Sequence, residues 1–393
     1  MRKKWVAVIP CGKESINTIQ ILKSLNYNVI GIDLMANADA ISYCDKTIIC
    51  PINDIETILL YLQFNQIVPE YFFPVVSDKA IFPAYMLNNF YGLVEPNTLF
   101  PCYYSKVLLR TVLQHNHLPH PHFHVAATKG ELRASMTRKD LIFKPDDSSG
   151  SRGITILKKA KLPALQNAFQ YAMKYSRSKK VIIEDYIPGN EYMVDCFLFK
   201  GKIKALLVSE KKKIKDKVAT LIFSLNPTEF DYEKLRKFLL LLSGKLCYLN
   251  GPLHIELKYH RGTFYILDFA ARGGGFEIFN YYDGKILGFD FPKANIEVFL
   301  KNKLTQKCRH HREGLIYFIL PSQNGAIKDI QFNKKMINDD LRFVPFYRKG
   351  AITNMEVTDG YRLAAVYCFA DNKPELFQKL ELFKKSIKLI YQT

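Results

Sequence analysis

The sequence has no apolar run long enough to span a bilayer, no Cys-x-x-Cys pair, no internal repeat and no low-complexity linker. The first absence excludes a helical membrane protein. The second, with eight cysteines at irregular spacings, argues against a zinc or disulfide framework and for free, reduced thiols. The third and fourth exclude a solenoid and predict domains that pack tightly. The apolar stretch after the basic N-terminus runs only from Trp5 to Ile9 before Pro10, too short for a signal-peptide core, so a cytoplasmic protein is expected. Two phosphate-binding signatures are also missing. No glycine-rich loop leads into Lys-Ser or Lys-Thr at Walker A spacing. The first turn, Pro10 to Ser15, lacks Gly-x-Gly-x-x-Gly, which argues against a dinucleotide site there.

What is present describes a globular chain. Its 393 residues are 48% hydrophobic and 24% charged, enough for two or three domains with real cores. The net charge of +19 suits anionic partners, but the lysines are spread along the chain. The run Lys211–Lys213 is short and reads as a solvated loop, with guidance of an anionic substrate the alternative. No basic motif is interleaved with aromatics, so a lysine-rich surface is favoured over a nucleic-acid interface. His115, His117, His120, His122 and His124 crowd one stretch, but Pro119 and Pro121 interrupt it. An exposed linker is favoured there over a metal site. Cys11 has no histidine nearby in sequence and reads as a buried or turn cysteine rather than a nucleophile.

Strands at 5–9, 28–33, 47–50 and 71–76 alternate with helices at 16–25 and 54–64, predicting a parallel, doubly wound sheet. A helix at 104–115 leads to an α/β segment at about 122–190. Strands follow at 191–199, 202–209, 218–224, 252–258 and 263–270. Further strands at 315–320, near 342–347 and at 361–369 precede a helix at 373–390.

Two constellations carry chemistry. The first is a strand, loop and strand from Leu141 to Leu157. Ser148, Ser149, Gly150, Ser151, Arg152 and Gly153 form the loop, and Lys144 stands at its root. Small residues let backbone N–H groups approach an anion, and the hydroxyls and guanidinium add donors. By itself the loop reads equally as a polyphosphate cover or an ordinary surface hairpin. The second is a hairpin, Gly251–Leu257 and Phe264–Ala270. Alternation puts His254 and Glu256 on one face, and folding about Gly262 sets Glu256 opposite Asp268. Facing carboxylates destabilise a sheet unless a divalent cation sits between them, and Mg²⁺ takes one or two carboxylates plus nucleotide phosphates. Arg272 and Gly273–Gly275 follow at once. Asp268-Phe269-Ala270 looks like a protein kinase's Asp-Phe-Gly, but no His-Arg-Asp loop precedes it, and a kinase is rejected.

Together these residues resemble the ATP-grasp superfamily, specifically its carboxylate–amine ligases of the biotin-carboxylase and carbamoyl-phosphate-synthase-like branch. The resemblance covers nearly the whole chain. It rests on the lid Lys144–Gly153, the segment Glu184–Tyr192, the hairpin His254, Glu256 and Asp268, and the terminal stretches Ile316–Pro321 and Gly360–Val366. It implies an α/β protein with an N-terminal doubly wound parallel sheet (1–103), an ATP-grasp domain (104–304) with an α+β lid at about 122–190 and a central antiparallel sheet, and a small C-terminal α+β domain (305–393).

The resemblance also implies roles. Lys106 and Lys144 contact ATP phosphates or the adenine edge. Ser149, Gly150, Ser151, Arg152 and Gly153 close over the β- and γ-phosphates. Glu184, Tyr186 and Ile187 form the adenine hinge, and Glu191 holds the ribose. Glu256 and Asp268 hold Mg²⁺, with Mn²⁺ an alternative. Arg272, with Lys144, stabilises the transferring phosphate or the acyl-phosphate. The family's Glu-x-Asn-x-Arg is here Asp268-Phe-Ala-Ala-Arg272, so Ala270 cannot ligate a second metal. The implied reaction is ADP-forming amide synthesis from a small-molecule carboxylate and an amine. Neither a membrane nor nucleic acid is a partner, and a homodimer is compatible. The alternatives are a bicarbonate-activating enzyme, disfavoured by the missing biotin-attachment Met-Lys-Met, and a non-catalytic ATP-binding protein.

Overall fold

The computed structural model describes residues 4–148, 150–214, 218–353, 360 and 362–392, without the side chains of residues 134 and 135. Alternating apolar strands and amphipathic helices build the first layer. In chain order these are β1 (Trp5–Ile9), α1 (Ser15–Ser24), β2 (Asn28–Asp33), β3 (Lys46–Ile49), α2 (Ile55–Phe64), β4 (Pro69–Pro74) and α3 (Asp78–Phe90). The four strands are parallel in the order β3-β2-β1-β4. Their near-continuous Val, Ile and Phe content is what a sheet covered on both faces requires. Sequence patterning missed α3, whose Pro83 lies inside the helix and is buried with Ala80, Ile81, Ala84 and Leu87.

Helix α4 (Lys106–His115) is N-capped by the Ser105 hydroxyl and leads into the second layer. That layer holds β5 (Phe123–Ala126), β6 (Asp140–Pro145), β7 (Thr155–Lys158), α5 (Leu162–Tyr175) and β8 (Val181–Asp185). Its sheet runs β5-β8-β6-β7, fully antiparallel. Leu141, Phe143, Leu165, Phe169, Val181 and Ile183 form its own small core. A unit with a separate core can hinge over its neighbour.

The third layer comprises β9 (Glu191–Phe199), β10 (Lys202–Ile214), β11 (Val218–Leu225), α6 (Tyr232–Lys245), β12 (Gly251–His260) and β13 (Thr263–Ala270). After α7 (Asp283–Leu287) and α8 (Phe291–Lys301) come β14 (Glu313–Ile319), β15 (Gly325–Gln331), β16 (Leu341–Pro345), β17 (Ile352–Thr353), β18 (Ala364–Ala370), α9 (Lys373–Ser386) and β19 (Lys388–Tyr391). One eight-stranded sheet runs β13-β12-β9-β10-β11-β14-β18-β16. The expected boundary at 304/305 falls just before β14, and β14 then continues the central sheet.

Two expectations need correction. Lys211–Lys213 lie not in a loop but in β10, which extends to Ile214 and pairs with β9 and β11. The last helix stops at Ser386 rather than 390. The β-prone Leu389, Ile390 and Tyr391 instead pair with β15 in the small sheet β17-β15-β19. Among the described residues no helix is long and apolar enough to cross a membrane, and all eight cysteines are free.

Candidate active site

The hairpin β12–β13 brings the two carboxylates together by an indirect route. Its turn pairs His260 with Thr263 and Leu257 with Ile266. Strict continuation would set Glu256 against Leu267. A bulge between Glu256 and Leu257 shifts the register by one residue, and Glu256 faces Asp268 as expected. Each carboxylate has a lysine from another element. Glu256 pairs with Lys211 of β10, and Asp268 Oδ1 lies 3.2 Å from Lys106 Nζ at the start of α4. Burial opposes ionisation of Glu256, yet Lys211 and Lys213 hold its carboxyl far below the usual range. Burial would lower Lys106, but Asp268 and Asp78 raise it.

Below the lid, Glu184 of β8 is fully buried between two cations. Its Oε1 accepts from Arg110 Nε at 2.6 Å, and its Oε2 lies 2.6 Å from Lys144 Nζ. Arg110 also donates to the carbonyl of Leu267 at the bulge (2.9 Å), tying α4, the lid and the hairpin together. The next segment is held through its backbone. Tyr186 N–H donates to the Asp140 carbonyl (2.9 Å), and Lys258 Nζ donates to the Ile187 carbonyl (2.7 Å) while lying over the Tyr186 ring.

These groups line a cleft of ≈730 Å³, open solvent included, between lid and central sheet. Ile142, Ile154, Ile156 and Leu267 give it an apolar slot. Lys106, Lys144, Glu184, Tyr186, Ile187 and Glu191 line the same space. Glu191 is held by Lys213 at 2.5 Å. A second cleft of ≈890 Å³ adjoins it. Ser151, Lys213, Glu256 and Asp268 belong to both. The second cleft continues past Gly150, His254, Ala270 and Arg272.

The remaining predicted residues are more dispersed. Ser149 lies outside the described residues. Arg152 is exposed and Gly153 buried, and neither lines a cleft. Gly153 supports the loop instead. Its φ of +77° suits glycine, and an added Cβ would come within 2.6 Å of Pro145 Cγ. Arg272 Nε donates to Asp78 Oδ1 at 2.7 Å, which fastens the hairpin to the first turn of α3.

Sequence reading missed Asp78, Arg110 and Lys258, and it favoured a solvated loop over substrate guidance for Lys211 and Lys213. Asp78 is 194 residues from Arg272, and no local pattern links them. The oxygen-only pair Glu256 and Asp268 suits a hard divalent cation such as Mg²⁺. Among the described residues no cluster of three or more acidic, histidine or cysteine ligands adds to it.

No curated protein matches the chain in sequence. Similar solved structures span nearly its full length. An L-amino acid ligase from Bacillus licheniformis superposes with a TM-score of 0.84 at 19% identity, covering 100% of each chain. A phosphoribosylglycinamide synthetase from Anaerococcus prevotii gives 0.74 at 15% identity, covering 99% of this chain and 100% of the other. The biotin carboxylase domain of the 2-oxoglutarate carboxylase from Hydrogenobacter thermophilus, solved with MgADP and bicarbonate, gives 0.74 at 14% identity, covering 99% and 91%. Residues 137–279 match the family described as an ATP-grasp domain. The chain therefore has the ATP-grasp fold, and its residues 137–279 match the ATP-grasp domain family.

Proposed function

We propose that this protein is an ADP-forming carboxylate–amine ligase. The observation that carries the reading is the shared wall of the two clefts, where Glu256, Asp268, Lys213 and Ser151 face both. A nucleotide in the apolar cleft directs its terminal phosphate to that wall, and a carboxylate in the second cleft meets it there. The apolar slot of Ile142, Ile154, Ile156 and Leu267 suits a purine, and Glu191 suits the ribose hydroxyls. Ile187 N–H, engaged by no described residue, suits a ring nitrogen.

Glu256 and Asp268 would hold Mg²⁺, which neutralises phosphate charge. The protein's own share is positioning and electrostatics. Lys144, locked by Glu184, and Lys106, locked by Asp268, present fixed positive charge toward phosphate oxygens. A carboxylate oxygen attacks the γ-phosphorus, the β–γ bridge breaks, and ADP leaves with the electron pair. The product is an acyl-phosphate. Arg272, held by Asp78, is suited to stabilise it. An amine then attacks the acyl carbon, and phosphate leaves with formation of the amide and loss of a proton. The lid excludes water that would hydrolyse the intermediate.

The test is Mg²⁺-dependent nucleotide release with pooled carboxylates and amines, products read by mass. ADP release that needs both partners, with a product of their summed mass less water, is expected. AMP release overturns the reading. A requirement for bicarbonate as the only acid would move it to the carboxylase class.

A further inference from the structure

The second cleft contains a side chain that phosphoryl transfer does not use. His254 stands on β12 two residues before Glu256, directly across from Asp195 of β9. Its Nδ1 lies 2.7 Å from Asp195 Oδ1. Asp195 is 2% exposed, and its Oδ2 has no hydrogen-bond partner. Behind it lies Asp283 of α7, 1% exposed, whose Oδ1 is likewise unpartnered. Burial, with Asp195 beside it, raises the Asp283 carboxyl well above the usual range.

This arrangement fixes the polarity of the ring. A carboxylate can only accept, so Nδ1 carries the hydrogen. In the neutral ring Nε2 then holds the lone pair. Among the described residues Nε2 has no protein partner, and His254 lines the cleft. The ring lies against Gly274, where an added Cβ would come within 2.9 Å of Nδ1. The acidic side chains of the cleft are all engaged: Glu256 by Lys211, Asp268 by Lys106, Asp78 by Arg272. The cations of the cleft suit the anionic carboxylate and phosphate. His254 Nε2 offers the cleft an acceptor for an N–H donor. Around it Val76, Met193, Ile222 and Phe318 supply an apolar wall.

We propose that His254, oriented by Asp195, is the binding residue for the amine substrate, an amine carried on an apolar body. Its Nε2 accepts an N–H of the incoming amine and holds the nitrogen beside the acyl carbon near Arg272. Asp195 is a positioning residue that never touches the substrate. The proposal rests on the ligase reading, and its test separates the two.

Wild type, His254→Gln and Asp195→Asn are compared in two measurements. The first is positional isotope exchange in ATP labelled at the β–γ bridge oxygen, with the carboxylate alone, which reports acyl-phosphate formation without any amine. The second is KM and kcat for leucine amide, an apolar primary amine without a carboxylate. In Asp195→Asn the new amide N–H favours the ring tautomer with hydrogen on Nε2, which inverts its polarity. Exchange should stay within about twofold in both variants. KM for leucine amide should rise about tenfold to a hundredfold, the effect of losing one buried hydrogen bond. Loss of exchange together with coupling would assign His254 to activation and overturn the proposal. Wild type that exchanges label but never couples leucine amide overturns the apolar-amine assignment. Wild type that exchanges no label with any carboxylate removes the acyl-phosphate reading, and the role of His254 with it. If Asp195→Asn does not fold, His254→Gln alone decides.

Discussion

Glu256 and Asp268 face each other across β12 and β13, and each is matched by a lysine from outside the hairpin, Lys211 for one and Lys106 for the other. Two like charges in cross-strand register would weaken the sheet. The lysines compensate them, and a divalent cation held by both carboxylates would add to that neutralisation. Asp268→Ala and Glu256→Ala should each lower Mg²⁺-dependent ADP release by about a hundredfold or more, the several kcal/mol expected of metal-assisted charge stabilisation. Mg²⁺ titration of turnover should shift to higher concentration in Glu256→Asp. Unchanged turnover in the alanine variants would remove the pair from catalysis.

The Arg110–Glu184–Lys144 triad is a structural lock beside the first cleft. All three side chains are buried, so removing the central carboxylate strands two cations. Glu184→Ala should cost about 3–5 kcal/mol, read as a lowered urea midpoint of the lid and central layers. The acid limb follows from the same contacts. Burial disfavours the Glu184 carboxylate, but Arg110 and Lys144 prevail and hold its carboxyl below the ordinary 4.5. A depressed folded value means the stabilisation is full above the unfolded value and is lost as pH falls through the folded one. Wild type should lose stability below about pH 4.5. Glu184→Gln, already lacking the charge, should show a shallower acid limb in urea unfolding at pH 7, 5 and 3.

Gly150 and Gly153 share a left-handed backbone, with φ of +66° and +77°, but differ in surroundings. Among the described residues nothing lies within 4 Å of a Cβ at Gly150, whereas one at Gly153 meets Pro145 and Tyr175. Gly150→Ala should cost only the conformational penalty, about 1–2 kcal/mol. Gly153→Ala adds overpacking, another 1–3 kcal/mol or so. Limited proteolysis of the loop should therefore accelerate much more in Gly153→Ala. Equal acceleration would mean that Pro145 and Tyr175 yield freely.

The sequence made the hairpin and the lid legible because both are local. Glu256 and Asp268 are separated by one turn, and the loop from Ser148 to Gly153 by none. The correct pairing of Glu256 with Asp268 came from folding about Gly262, while the chain reaches it with a bulge. What stayed hidden depends on strand order. β12 lies against β9 rather than β11, which is why Asp195 sits beside His254. Lys211 and Lys213 looked solvated because no local signal shows that β10 continues beside β9 and delivers them to Glu256 and Glu191.

The longest-range contact in the site gives the last prediction. Asp78, at the first turn of α3, accepts from Arg272 Nε at 2.7 Å. Burial opposes its ionisation, but Arg272 holds the carboxyl below the usual range. The pair joins the N-terminal layer to the β12–β13 hairpin, and on the proposed reading Asp78 aims the guanidinium. Asp78→Asn should lower kcat about tenfold or more, in keeping with a charge-assisted hydrogen bond of about 1.5–3 kcal/mol. Arg272→Lys should be no milder, since a lysine lacks the planar fork. The double variant Asp78→Asn/Arg272→Met should then turn over no more slowly than Arg272→Met alone. A residue that works only through its partner has nothing left to contribute once the partner is gone. Additive losses in that cycle would instead give Asp78 a contact of its own with substrate.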